Sequence, residues 1–202
     1  MRTDLETQLP VRRTRSLALA TALALGLSGC SLIEATQPEP LEKTAACALG
    51  HHWKLDLKDL GTQVLADLQN RKIQATSVDA TGSQILTWGT DSSVLVDTDY
   101  TLKVKAQPAA DKTYLITQTH KGVASGKAYI NSDVAIPRNW DERGFSVRTV
   151  TTLNGSRIRH APFVIAQTDF DDVYGIEITC NGNVLTTHAR QSAITKTWSK
   201  AD

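Results

Sequence analysis

The segment from Val94 to Ala106 constrains the fold of this chain more than any other stretch. Over these thirteen positions the even-numbered residues, from Val94 to Ala106, are mostly apolar or small, and the odd-numbered ones after Leu95, from Asp97 to Lys105, are polar or charged. A period of two residues is typical of a half-buried β-strand, because successive side chains point to opposite faces. The pattern therefore predicts one long, strongly bent strand, or two strands that meet near Asp99 and Tyr100.

Most of the chain from residue 73 onward has the same character. Short runs of β-forming residues are separated by turn residues, and the two strongest hairpin signals are Asn154-Gly155 and Asn181-Gly182-Asn183. We expect about nine or ten antiparallel strands in all. Besides residues 94–106, the candidate runs are residues 53–57, 73–79, 84–88, 114–120, 126–130, 145–153, 157–164, 176–180, 184–188 and 193–200. Turns are expected at Thr81-Gly82 and Lys121-Gly122, and a surface loop that carries Trp140 is expected over residues 137–144.

One helix is expected, directly after the first strand. Leu60, Val64 and Leu68 recur at helical spacing, and Asp59 is the expected N-cap. Its apolar face must be covered, and the expected partner is an opening or a flank of the sheet.

The fold class predicted is therefore mainly β, with an antiparallel up-and-down meander that closes into a barrel. Closure removes the unpaired edges that such a meander would otherwise expose, and stacking into a β-sandwich is the alternative. Trp53 in the first strand and Trp198 in the last strand favour closure, because both ends of the chain could then share one core.

Gly50, Trp53 and Lys200 give the chain a resemblance to lipocalin-like β-barrels. Lipocalins have a glycine and a tryptophan on the first strand, and a basic residue of the last strand lies across that tryptophan. Two residues separate Gly50 from Trp53, where lipocalins usually have one, and lipocalins place their main helix near the end of the chain. The resemblance implies a lipocalin-like barrel over the mature domain.

The segment Leu27-Ser28-Gly29-Cys30 resembles the lipobox of bacterial lipoproteins. It closes an apolar run, residues 17–27, that follows Arg12, Arg13 and Arg15. A largely apolar run of eleven residues suits a signal peptide and is too short to span a bilayer. The resemblance implies that residues 1–29 are a signal peptide and that Cys30 carries a lipid anchor on the extracytoplasmic face of the cell membrane. The layout also resembles small exported lipoproteins of actinobacteria.

Residues 30–46 are expected to form a lipidated flexible spacer, and residues 47–202 a single domain. The spacer contains Gln37-Pro38-Glu39-Pro40 and little apolar material. Within the exported part, Cys47 and Cys180 are the remaining cysteines, and outside the cytoplasm a pair is most simply a disulfide. Two free thiols are the alternative.

Charge excludes one class of partner. Residues 1–29 contain four of the 22 basic residues and two of the 21 acidic ones, so 18 basic and 19 acidic residues remain. This near-neutral balance does not indicate nucleic-acid binding, because proteins that bind nucleic acid have a clustered basic face.

The sequence predicts no metal or other cofactor and gives no support for catalysis. His51 and His52 are adjacent, so on a strand they point to opposite faces and cannot chelate one ion together. The acidic run Asp169-Phe170-Asp171-Asp172 lacks the spacing of a calcium loop.

Two functions are therefore expected as alternatives. The first is a binding module that holds a small apolar or amphipathic ligand in a barrel cavity, lined by the aromatic residues Trp53, Trp88, Tyr100, Tyr114 and Trp198. The second is a filled β-domain that acts as a structural or protein-interaction module of the cell envelope, with the loop around Trp140 as the contact. A barrel of eight strands is just wide enough for either outcome.

Overall fold

A computed structural model of the chain describes residues 42–165 and 175–201. This part of the chain is mainly β, with two helices and nine strands. In chain order the elements are α1 (Lys43–Ala48), β1 (His51–Leu55), α2 (Leu57–Asn70), β2 (Ala75–Trp88), β3 (Ser93–Ala109), β4 (Lys112–Asn131), β5 (Val134–Leu153), β6 (Ser156–Ile158), β7 (Ile176–Asn181), β8 (Val184–Ala189) and β9 (Thr195–Ala201).

The strands form one antiparallel sheet in the order β4-β3-β2-β1-β9-β8-β7-β5-β6, with an additional pairing between β4 and β5. The first and last strands are neighbours, because β1 pairs with β2 on one side and with β9 on the other. Strand β5 pairs with β4 over most of its length, with β7 at Val134 and Ala135, and with β6 at its C-terminal end. The mainly β antiparallel class predicted from the sequence is confirmed.

Strand β3 is one continuous strand, which decides between the two interpretations of residues 94–106. From Val94 to Ala106 the even-numbered residues are buried and the odd-numbered ones are exposed or half-buried. We call the face that carries the buried residues the inner face of the sheet. It also carries Trp53, Trp88 and Trp198, whose side chains are fully buried.

The turns expected at Thr81-Gly82 and Lys121-Gly122 are wrong, because β2 and β4 run straight through them. Gly82 has a φ of +112° and lies opposite Tyr100, and a Cβ at Gly82 would clash with the carbonyl oxygen of Asp99. Gly122 has a φ of +118°, and a Cβ there would clash with the carbonyl oxygen of Gly144. Both glycines thus allow a close approach of neighbouring strands, where the sequence indicated chain reversals.

The surface loop expected over residues 137–144 is also wrong, because this segment lies within β5. Trp140 is half-buried and packs against the core. Its ring lies over Gly126, where a Cβ would come within 2.7 Å of Cε3 of Trp140. The polar sequence around Trp140 is therefore part of a long strand, whose pairing with β4 is interrupted by register shifts near Val123, Ser125 and Lys127.

Helix α2 begins earlier than the sequence indicated. Asp56 is the N-cap, and its carboxylate accepts a hydrogen bond from the backbone N–H of Asp59 at 3.0 Å. Leu57, expected on the first strand, is therefore the first residue of the helix. The helix buries Leu60, Val64 and Leu68, and Gly61 lies close to Val78 and Ala80 of β2, so the helix covers the N-terminal half of that strand.

Helix α1 was not expected from the sequence, and it covers the last four residues of the expected spacer. It buries Ala45 and Ala48. Cys47 of this helix forms a disulfide with Cys180 of β7, with the two Cα atoms 5.8 Å apart, which confirms the expected pairing. The folded part of the chain therefore begins before residue 47.

The two hairpin signals are confirmed, with Asn154 and Gly155 both at positive φ and a reversal at Gly182 between β7 and β8. The strand expected at residues 157–164 is shorter than predicted, because β6 ends at Ile158. Cys30, the signal peptide, most of the spacer and the run Asp169–Asp172 lie outside the described residues. Neither described helix is long and apolar enough to cross a membrane.

Candidate functional site

The inner face of the sheet is tightly packed around three tryptophans. Trp53, Trp88 and Trp198 have no exposed surface. Each indole N–H has an acceptor: Trp53 donates to the carbonyl of Ala48 at 3.0 Å, and Trp88 to the carbonyl of Ala128 at 3.2 Å. Trp198 donates to the hydroxyl of Thr187 at 3.0 Å. Buried indoles with satisfied N–H groups are typical of a filled core, and we call this region the tryptophan core.

A chain of polar side chains continues the inner face beside the tryptophan core. Lys196 is 6% exposed, and its Nζ donates to Oε1 of Gln84 at 3.2 Å. Nε2 of Gln84 in turn donates to the hydroxyl of Thr98 at 2.8 Å. The ammonium also lies 5.8 Å from the ring centroid of Trp198. Hydrogen bonding of this kind is what makes the burial of polar groups tolerable.

His120 and Gln118 form a second polar pair on β4. Nε2 of His120 lies 2.8 Å from Oε1 of Gln118, and because that oxygen only accepts, the contact assigns the ring proton to Nε2. The imidazole stacks on Tyr100 with ring centroids 4.4 Å apart. Its Nδ1 is buried without a hydrogen-bond partner in the described structure. Burial, with the positive charge of Lys196, lowers the pKa of His120 to about 4, so the ring is neutral near pH 7.

The packing opens along β4 and β5, where a groove of about 740 Å³ lies between these strands and the segment that follows β5. We call it the inner groove. Its floor includes Ile116, Gln118 and Thr151, which are buried inner-face residues. The groove is within the size range of small-molecule sites. Its apolar lining residues are Ile116, Val150, Ile158, Ala161, Phe163, Val164 and Ile165.

The polar lining of the inner groove is neutral or basic. Gln118, Thr149 and Thr151 supply an amide and two hydroxyls. Nε2 of Gln118 lies 3.5 Å from Oγ1 of Thr149, a weak contact at the limit of hydrogen-bond distance. The remaining lining residues are Arg157, Arg159 and His160, and the described lining includes no acidic residue.

The aromatic residues predicted to line a cavity do not line the inner groove. Trp53, Trp88 and Trp198 form the tryptophan core, and Tyr100 is 3% exposed against His120. Tyr114 is half-buried and pairs with Leu153 across the β4–β5 ladder. The structure thus places the three tryptophans in the core, and none of the five predicted aromatic residues lines the inner groove.

Sequence reasoning missed the polar side chains of the inner face, although a signal for them was present. Gln84, Gln118 and Lys196 each lie at an inner-face position of their strand, two residues from a buried apolar side chain. A polar residue at such a position breaks the apolar alternation, and that break was the available signal.

The two histidines of β1 point to opposite faces, as predicted from their adjacency. Nδ1 of His52 contacts the hydroxyl of Thr87 at 2.9 Å, whereas the His51 ring packs edge-on to Trp53 at 6.0 Å. Lys200 lies opposite Trp53 in the β1–β9 ladder, and its Nζ is 3.2 Å from Nε2 of His51. Over residues 42–165 and 175–201, no three His, Cys, Asp or Glu side chains are grouped as metal ligands.

Comparison of the chain with protein-family models, with curated proteins and with solved structures found no match.

Proposed function

We propose that this domain binds a small amphipathic molecule in the inner groove. The observation that carries the proposal is the contrast within one sheet face: a filled tryptophan core beside a groove of about 740 Å³. Apolar walls with a few polar groups at the floor are typical of small-molecule sites. Ile116, Ile158 and Phe163 would contact the apolar body of the ligand, and Gln118 would offer its amide to a polar atom.

The proposal includes closure of the sheet into a lipocalin-like barrel. The pairings of β5 with both β4 and β7 support closure, as do those of β1 with both β2 and β9. Closure would give the ligand a single sheltered interior, of which the tryptophan core fills one part and the inner groove is the other.

The proposal also places the domain on the extracytoplasmic face of the cell membrane, tethered by a lipid on Cys30. Several buried acyl chains are enough to anchor a protein stably. Labelling growing cells with an alkyne-modified palmitate tests the anchor. The chain should be labelled and recovered in the membrane fraction, and the Cys30→Ala variant should be unlabelled and released.

Binding is tested with the full chain and a fluorescent probe, 11-(dansylamino)undecanoic acid. Thr149 is exposed and lines the groove, so Thr149→Trp fills the groove without disturbing the core. The matched control is Ser146→Trp, at an exposed position of the same strand that does not line the groove. We expect saturable binding by the wild type and by Ser146→Trp, and at least a tenfold loss in Thr149→Trp. Equal binding by both variants would show that the probe binds elsewhere.

The filled tryptophan core favours a second candidate, a packed module that contacts a protein of the cell envelope. Native mass spectrometry of the chain purified from its own host separates the candidates. An added mass of a few hundred daltons beyond that of the denatured, covalently modified chain, which disappears in Thr149→Trp, supports the ligand. No such non-covalent mass, together with no probe binding, supports the packed module.

A further inference from the structure

We propose that the ligand of the inner groove carries an acidic head group, a carboxylate or a phosphate, that binds to Arg157 and Arg159. This inference rests on the proposed function and names the chemical class of the ligand. A single-chain alkyl acid fits both the apolar walls and the basic rim of the groove.

The charge of the groove lining is the first observation. Arg157, Arg159 and His160 are exposed and follow one another closely at one side of the groove. The part of the chain from Cys30 onward has 18 basic and 19 acidic residues, so a rim whose charged residues are all basic, among those that the structure describes, departs from the balance of the whole. An anionic group at this rim would be attracted rather than merely tolerated.

The state of the two arginines is the second observation. The ion pairs of the described residues involve Arg71, Lys121, Arg143 and Arg190, and no carboxylate in that part of the chain pairs with Arg157 or Arg159. A guanidinium binds carboxylate and phosphate oxygens through two parallel N–H donors. Both side chains therefore have donors to offer to a ligand.

The position of Ile158 beside the two arginines is the third observation. Ile158 pairs with Thr151 in the β5–β6 ladder, so it lies on the inner face, and its sequence neighbours Arg157 and Arg159 also line the groove. Arg157 pairs with Thr152 and therefore points to the other face, so the arginines belong to the edge of the groove rather than to its floor. An amphiphile could bury its chain against Ile158 and Ile116 while its head group stays at the partly solvated rim.

The test compares a charged and a neutral probe of the same shape. 11-(Dansylamino)undecanoic acid and its methyl ester are titrated into the full chain and into the double variant R157Q/R159Q. We expect the wild type to bind the acid roughly tenfold more tightly than the ester, and the double variant to lose that preference while its affinity for the ester is unchanged. The matched control, Lys105→Gln with Arg148→Gln, removes two exposed charges outside the groove and should keep the preference.

The outcomes separate this inference from the proposed function. If neither probe binds, the proposed function is wrong. If both probes bind equally to the wild type, or if R157Q/R159Q weakens both equally, the groove binds ligands but its arginines do not recognise an acid. Competition with dodecanoate and with dodecyl phosphate distinguishes the two head groups. Displacement only by anionic phospholipid vesicles, and by neither monomer, would also overturn the inference.

Discussion

The tryptophan core and the inner groove lie on the same face of the same sheet, and they differ in how that face is filled. Around the core, Trp53, Trp88 and Trp198 occupy inner-face positions and leave no exposed surface. On β4 and β5 the inner-face positions carry Ile116, Gln118, Thr149 and Thr151. The comparison shows that alternation decides which face a side chain joins, whereas side-chain volume decides whether that face is closed or open.

The disulfide should have the largest effect on stability. It holds α1 against β7, and Ala48 at the end of α1 accepts the indole N–H of Trp53, so the bond secures the packed side of the domain. The bridge closes a loop with a sequence separation of 133. Removing it in a Cys47→Ala/Cys180→Ala variant should lower the free energy of unfolding by roughly 4–5 kcal/mol on the loop-entropy model. Urea denaturation measures this, and a loss below about 1 kcal/mol would contradict it.

Truncation in the tryptophan core should cost nearly as much. Trp198→Ala removes a fully buried indole and its hydrogen bond to Thr187. We expect a loss of about 3–5 kcal/mol in the free energy of unfolding, because the rigid surroundings leave a cavity. Trp198→Phe, which keeps most of the ring volume, is the matched control and should cost clearly less. Similar losses for both variants would mean that the hydrogen bond, rather than packing, dominates at this site.

Acidification should destabilise the domain through His120. The pKa of this buried imidazole is lowered from 6.5 to about 4 in the folded state, so the unfolded chain binds its proton more readily. The contribution of His120 is therefore fully present above pH 6.5, is lost as the pH falls from about 6.5 to about 4, and changes no further below that. Its upper limit is roughly 3 to 4 kcal/mol, since one pKa unit corresponds to about 1.4 kcal/mol.

Stability curves at several pH values measure this linkage. His120→Gln should flatten the dependence in that window, whereas the exposed His160→Gln should keep it. An unchanged pH dependence in His120→Gln would mean that another group is responsible.

A substitution in the groove wall should have the smallest effect. Ile158 is half-buried and lines the open groove, so Ile158→Ala removes little surface that folding had hidden from water. We expect a loss of about 1 kcal/mol or less in urea denaturation, with a clear weakening of probe binding. A loss as large as that of Trp198→Ala would erase the distinction between the two regions.

The sequence alone determined the mainly β antiparallel class, the Cys47–Cys180 pair and the faces of β3. These follow from local chemistry: the period of two fixes which side chains share a face, and Asn154-Gly155 supplies the positive φ values that a tight reversal requires. The anchor at Cys30 stays a prediction.

Tertiary structure alone decided the lengths of the strands and the position of the groove. Gly82 and Gly122 look like turn residues in the sequence, and they are strand residues because a neighbouring backbone lies where a Cβ would be. Likewise, aromatic residues looked like a cavity lining, but Trp53, Trp88 and Trp198 fill the core instead. The physical reason is common to both: the space beside a residue is set by the strands packed against it, which the residue's own sequence neighbourhood does not encode.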